Sequence, residues 1–228
     1  MELTVLGKYG PYPKAGGACS GYLVKSGRDT VLLDCGCGVL SRLLSHIDLG
    51  ELTAVFISHL HFDHTSDLLP LRYLLEDLHH TVTVYTAYED SEWYRVLFTH
   101  PNLNIVNIDE NSVVNLGDLR LHFVKMNHTG GDYGIVIKGD KTICYTGDTA
   151  RCEAVERCCR ECDYLLADCS KPSGFQASHM TVDDARELAQ KYGCQILATH
   201  QSSSYNPQKD LADSDLVFSV KEGKTYKL

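Results

Sequence analysis

Short apolar runs separated by turn residues recur along the whole chain. Val31-Leu32-Leu33, Ala54-Val55-Phe56-Ile57, Tyr164-Leu165-Leu166-Ala167 and Gln195-Ile196-Leu197-Ala198 read as buried strands. Residues 119–127 (LRLHFVKMN) alternate apolar and polar positions, the period of a half-buried strand. Segments 133–138 and 141–145 flank Gly139-Asp140, which predicts a hairpin. Met1-Glu2-Leu3-Thr4-Val5 reads as a first strand. Helical spacing appears near residues 37–46, 66–78, 89–98, 151–160 and 181–192. In the second of these, Leu68, Leu71, Leu75 and Leu78 share one face, and Pro70 falls in the first turn, where it is tolerated. The last has Thr181 as N-cap with Asp184 three positions on, a variant capping box. Val182, Ala185, Leu188, Ala189 and Tyr192 form its apolar stripe. This pattern fits an α/β fold of two sheets packed together with helices outside, a four-layer arrangement. No long linker, low-complexity stretch or repeat interrupts it, so residues 1–228 are expected to form a single domain.

Charge narrows the function. With 30 acids against 21 bases the formal charge is −9, which opposes an extended grip on a nucleic-acid backbone. No apolar run approaches the ~18–20 residues that span a membrane. The N-terminus lacks the charged and apolar regions of a signal peptide, so a cytoplasmic protein without a membrane partner is expected. Ten cysteines are then expected as free thiols in a reducing compartment. Cys152, Cys158, Cys159 and Cys162 cluster in one predicted helix and its end, but lack two separated C-x-x-C knuckles. They are expected to pack rather than to bind zinc or an iron–sulfur cluster. Cys35 and Cys37, around Gly36, are likewise expected to be small packing residues.

The chemistry concentrates in 58-SHLHFDHTSD-67, where His59, His61, Asp63 and His64 crowd together after a strand. Crowded imidazoles repel when protonated and need partners when buried. A divalent metal resolves both problems, since neutral imidazole and ionised carboxylate are its ligands. A His/Asp-rich set suits a catalytic site with an open position better than a closed Cys-rich structural one. The His-x-His and Asp-His pairs point more naturally at two ions than at one. Further candidates sit at strand ends: His128 after Lys125-Met126-Asn127, Asp148 in Thr146-Gly147-Asp148-Thr149, and His200 after Ile196-Leu197-Ala198-Thr199.

The order HxHxDH, His128, TGDT and ATH resembles the metallo-β-lactamase-fold hydrolases, over nearly the whole chain. By that resemblance His59, His61 and His128 hold one metal, Asp63, His64 and His200 hold the second, and Asp148 bridges them. It implies a four-layer αβ/βα sandwich of two mixed sheets with the site at one edge and two divalent ions per chain, with zinc expected and manganese or iron as alternatives, and it raises a homodimer. Leu32-Leu33-Asp34-Cys35-Gly36, the acidic Asp168 after Leu165-Leu166-Ala167, and Ser178-His179-Met180-Thr181 before a helix look like the ribonuclease Z branch. Met180 departs from that branch's His-Ser-Thr-like turn. The larger departure is the missing tRNA-gripping arm: His128 and Asp148 are only 20 residues apart, joined by a hairpin.

The expected activity is therefore hydrolysis of a small or flexible phosphodiester, such as a cyclic phosphate, a cyclic nucleotide or a short RNA end, by hydroxide held between the ions. Asp63 is counted both as ligand and as a catalytic residue. His179 is expected to protonate the leaving oxygen and Asp168 to orient its ring, while the positive N-terminus of the 181–192 helix opposes a charged imidazole. The net effect on His179 stays open at this level. Competing activities are tRNA 3′ cleavage of the ribonuclease Z type, thioester or carboxylic ester hydrolysis, and di-iron redox chemistry. Asp34 is expected to fix the HxHxDH loop. Gly130-Gly131-Asp132-Tyr133 and Ser202-Ser203-Ser204-Tyr205 either line the pocket or form surface turns. His46, His79, His80, His100 and His122 are given no role.

Overall fold

The computed structural model describes every residue except 130, 173, 175–177, 206, 208–209 and 212–213. Its strands divide into two seven-stranded sheets. The first contains β1 (Glu2–Gly7), β2 (Gly21–Ser26), β3 (Asp29–Leu33), β4 (Ala54–Phe56), β5 (Val82–Thr86), β6 (Leu103–Asn107) and β14 (Thr225–Lys227), ordered β14-β1-β2-β3-β4-β5-β6. The second contains β7 (Val113–Leu116), β8 (Leu119–Lys125), β9 (Tyr133–Lys138), β10 (Thr142–Tyr145), β11 (Tyr164–Asp168), β12 (Gln195–Thr199) and β13 (Val217–Ser219), ordered β13-β12-β11-β10-β9-β8-β7. Each sheet is mixed. In the first, β1–β3 are antiparallel and β3–β6 parallel; in the second, β7–β10 are antiparallel and β10–β13 parallel.

Three apolar layers hold the sheets and helices together. Between the sheets, Val5, Tyr22 and Phe56 of the first meet Phe123, Ile135, Tyr145 and Leu166 of the second. The Phe56 and Phe123 rings stack with centroids 5.7 Å apart. On the first sheet's outer face lie α1 (Val39–Leu43), α3 (Leu68–Asp77) and α4 (Glu92–Phe98), which bury Val39, Leu71, Leu75 and Leu97. On the second sheet's outer face lie α5 (Glu153–Glu161) and α6 (Val182–Tyr192), which bury Val155, Val182, Ala185 and Leu188. This is the expected four-layer sandwich. The short α2 (Phe62–Thr65) sits inside the HxHxDH loop.

Several expectations change in detail. The helix near 37–46 shrinks to Val39–Leu43, because Gly38 takes a left-handed φ of 86° and starts the helix late. The region near 66–78 is a ten-residue helix from Leu68 preceded by the separate α2 turn. Strands β2, β5, β6, β7, β13 and β14 had no clear sequence signal, being three to six residues long. Thr181 and Asp184 do form a reciprocal capping box. All ten cysteines are free thiols. Cys158, Cys159, Cys162 and Cys194 pack in the α5/α6 layer. Hydrogen bonds from Cys159 and Cys162 hold the Cys194 thiol down at about 4. Cys35 is buried, but Cys37 is exposed, so it does not pack as expected. Among the described residues no helix is long and apolar enough to cross a membrane.

Phe56 is fully buried at the sheet interface. Phe56→Ala should lower unfolding free energy by about 3–5 kcal/mol in denaturant titration; a loss below ~1 kcal/mol would contradict the packing described.

Candidate metal centre

The candidate residues meet where strands of both sheets end. Asp34 follows β3, and His59–His64 follow β4. His128 follows β8, Asp148 follows β10, Asp168 closes β11, and His200 follows β12. Crevices at carboxyl strand ends are the usual ligand sites of α/β sheets, since loops there are free to carry chemistry while the strands stay rigid. Here α2 starts at Phe62 with His61 as its N-cap, so the backbone turns within the motif and presents Asp63 and His64 to the interior.

Two groups of ligand atoms result. His59, His61, His128 and Asp148 each offer an atom within 4.8 Å of the others, and so do Asp63, His64 and His200. Asp148 faces both. Its Oδ2 lies 3.8 Å from Nε2 of His59 and of His128, while its Oδ1 lies 3.2 Å from His64 Nε2 and 3.1 Å from His200 Nδ1. Among the described residues, ligand atoms converge in this way only at these His/Asp groups and one overlapping set around His179.

The chain's own atoms leave this centre unfinished. Asp63 Oδ2, His64 Nε2, His128 Nε2 and Asp148 Oδ1 are buried without a hydrogen-bond partner. Such atoms are costly unless something satisfies them. His59 Nε2 and His61 Nδ1 face each other at 2.8 Å. Burial and the neighbouring His64 keep the His59 imidazole well below its ordinary range, and burial lowers His128. Both are therefore neutral, as metal ligands must be. For His64, burial opposes the charge, but the Asp148 and Asp34 carboxylates outweigh it and hold the ring well above the ordinary value. For Asp148, burial opposes ionisation, but His200 and His64 pull it well below the carboxylate range. The centre thus combines the neutral His59 and His128 rings and an ionised Asp148 with a His64 whose charge is held between two carboxylates, a place a divalent cation can take over. Divalent ions fit it.

A second layer sets the ring orientations. His64 Nδ1 donates to Asp34 Oδ2 at 2.6 Å, and His59 Nδ1 faces Ser58 Oγ at 3.0 Å and Asp132 Oδ2 at 3.3 Å. His200 Nδ1 lies 3.2 Å from Ser20 Oγ, and His128 Nδ1 lies 3.2 Å from the Ser178 carbonyl. Such partners fix which nitrogen is left for a metal. Asp34 therefore sits where it was expected. Asp132 does more than the sequence indicated. It is fully buried, and it accepts the Asp148 backbone N–H at 2.9 Å while facing His59. Burial and the adjacent Asp148 charge raise its carboxyl well above the ordinary range. A lone acid in a glycine-containing loop carries no periodic signal. Gly147, with φ of 62°, lets the chain pass: a Cβ there would stand 2.5 Å from Asp132 Oδ1.

His179 stands beside the ligand set. Its Nδ1 lies 2.7 Å from Asp168 Oδ2, and its ring stacks on His200 with centroids 5.4 Å apart. It also joins Asp148 and His200 in the third convergent group. Yet the nitrogen 4.0 Å from Asp148 is the same Nδ1 that Asp168 holds. Burial lowers the His179 imidazole, but the Asp168 hydrogen bond and charge, with Asp148, raise it overall. The direction for His179 is therefore upward: the Asp168 and Asp148 carboxylates outweigh burial and the nearby Lys171 charge. Asp168 is fully buried and fixed by the N–H groups of Thr149 and Ser170, each at 3.1 Å.

Of the two loops held open above, Gly131 and Tyr133 line a cavity with His59, whereas Gly130 lies outside the described residues. In the other, Tyr205 packs against the α5/α6 layer and its hydroxyl donates to Asp210 at 2.7 Å.

Comparison with known proteins agrees with this geometry. The family described as the Beta-lactamase superfamily domain matches residues 29–200. The chain belongs to that superfamily and is a metal-dependent hydrolase. It is 30% identical over 211 residues to the probable metallo-hydrolase YhfI of Bacillus subtilis, covering 88% of this chain and 86% of that protein. The crystal structure of YhfI superposes with a TM-score of 0.91 at 28% identity, over 99% of this chain and 98% of that one. The short form of human tRNase Z shares the fold at a TM-score of 0.79 and 18% identity, over 100% and 99% of the two chains. A diphosphatase from the PhnP family does so at 0.78 and 19%, over 100% and 97%.

Asp132→Ala should weaken metal binding about 10–100-fold in chelator competition, as loss of an orienting carboxylate does elsewhere. An unchanged affinity would show that Asp132 holds nothing in place.

Proposed function

We propose that the chain is a dinuclear phosphodiesterase for a small or flexible phosphodiester, in a single domain over residues 1–228. The observation that carries this reading is the His179–Asp168 pair, placed beside the ligand set rather than within it. A phosphodiester needs a proton donor for its departing oxygen, apart from the metals. The fold shared with human tRNase Z and with a PhnP-family diphosphatase is compatible with phosphate ester chemistry. Strands β9 and β10 fill the interval between His128 and Asp148, leaving no inserted arm for a tRNA body there. Pairing of β1 with β14 joins the two ends of the chain in one sheet, which supports the single domain.

His59, His61 and His128 would hold one ion, Asp63, His64 and His200 the other, with Asp148 shared, and zinc is the metal we assign to this nitrogen and oxygen set. When bound, the ions supply an ionised water by lowering its pKa from ~15.7 towards ~7, and they offset charge on the phosphate oxygens. Asp63 would orient that chemistry from the first turn of α2. Asp168 anchors Nδ1 of His179, and the other ring nitrogen, Nε2, makes no hydrogen bond among the described residues, so a proton held there is free to move to the leaving oxygen.

Metal-loaded protein should hydrolyse bis(4-nitrophenyl) phosphate, lose that activity on chelation and recover it with two ions per chain. Turnover of thioesters with none of phosphodiesters would sink the reading. His179→Ala should keep both ions, yet slow diesters with poor leaving groups about 100-fold more than activated ones, the scale of a lost general acid. The acid works protonated, and Asp168 raises it, so activity should fall at the alkaline limb. Asp168→Asn removes that support and should move the alkaline limb to lower pH. An unmoved limb, or equal losses on all diesters, would remove His179 from this role.

A further inference from the structure

A wall of aromatic side chains stands beside the metal centre, and the chemistry above does not use it. The start of α2, the loop after β5 and the following helix α4 build it. Phe62, directly after His61, is 68% exposed and meets Trp93 edge-on, with ring centroids 5.0 Å apart. Tyr88 is 63% exposed and is braced edge-on against Tyr94 at 5.1 Å. The Tyr94 hydroxyl donates to Asn107 at 2.6 Å, which fixes the brace. Large aromatic rings are seldom left this exposed in a cluster without a partner, because the uncovered apolar area is unfavourable in water.

Two cavities run along this wall, of about 280 and 260 Å³. Both are lined by His59, Leu60 and Glu89, so both open from the ligand loop itself. Tyr88 and Lys125 line the first, and Trp93 and His61 the second. Glu89 is half-buried, and its carboxylate makes no hydrogen bond or ion pair among the described residues. The cleft therefore offers flat aromatic surface, one free hydrogen-bond acceptor and one ammonium group, all next to where a phosphate would bind. A planar group carrying N–H donors matches the first two of these features: it stacks on rings through its faces and donates to a carboxylate through its edge, while the ammonium suits a phosphate oxygen.

We propose that this cleft seats the nucleobase of a nucleotidyl phosphodiester, one bearing an exocyclic amino group that donates to Glu89. The inference rests on the phosphodiesterase reading for its choice of substrate class, and it narrows that class. Tyr88 and Trp93 would hold the base while the phosphate reaches the centre beside His59. A sugar phosphate or an aliphatic diester has nothing to place there.

Trp93 is the chain's one tryptophan, so its fluorescence reports on this cleft without any turnover. Guanosine 5′-monophosphate should be titrated into metal-loaded protein, with excitation beyond the absorbance of the base and ribose 5-phosphate as competitor. Saturable quenching is expected, with the nucleotide binding about tenfold more tightly than ribose 5-phosphate, the scale of one base stacked on an aromatic ring. Tyr88→Ala, an exposed position, should reduce that advantage several-fold while the two ions stay bound by elemental analysis. Absent quenching, equal binding of the two ligands, or an advantage untouched by Tyr88→Ala would each overturn the subsite. Should quenching and its Tyr88 dependence hold while no phosphodiester is hydrolysed, the phosphodiesterase reading fails and the base site stands.

Discussion

The Asp34 carboxylate is the knot on which the site depends. It is fully buried and has a left-handed φ of 57°, an unfavourable backbone state for a residue with a side chain. Four groups converge on it. The Ser58 backbone N–H and hydroxyl donate at 2.8 and 2.9 Å, His64 Nδ1 donates at 2.6 Å, and the Tyr145 hydroxyl donates at 2.6 Å. Ser58 and His64 bracket the HxHxDH loop, whereas Tyr145 comes from the other sheet. One carboxylate therefore sets the loop's start, the tautomer of a ligand ring and the distance between the sheets. Tyr145 also packs against Tyr22, whose hydroxyl meets Thr199 beside His200. A charge in so dry a place is tolerable only with this many donors.

Charge explains how an acidic chain builds this centre without a lysine or arginine among its candidate ligands. Asp34, Asp63, Asp132, Asp148 and Asp168 all lie within 6% of full burial around the histidines. Neutral rings such as His59 and His128 are held neutral by burial. His64, between two carboxylates, is driven the other way. The cluster is thus short of cations, which a bound metal would supply. The net charge of −9 describes the whole surface and says little about so local a field.

Much of this was legible in the residues themselves. The run His59-x-His61-x-Asp63-His64 announces metal because no packing role needs such crowding, and the apolar runs placed β3, β4, β11 and β12 correctly. The capping box of Thr181 and Asp184 was equally plain, since it is a contact between residues three apart. Strands such as β2, β6 and β13 were not, because their pairing is decided by neighbours far away in sequence. Gly38 shortened α1 by taking a left-handed turn that composition alone does not demand. Cys37 is exposed although its neighbour Cys35 is buried, a difference set by how the chain leaves β3.

Local order therefore determined the ligand types, their spacing and the periodicity of the layers, because these follow from covalent sequence and short-range geometry. Tertiary structure decided everything that needs two distant segments at one point. It brought Asp132 under both His59 and Asp148, turned Nδ1 of His179 towards Asp168, and stood Tyr88 and Trp93 beside the centre. A side chain's partner across space is fixed by how the two sheets pack, and the order of residues along the chain carries no direct record of that.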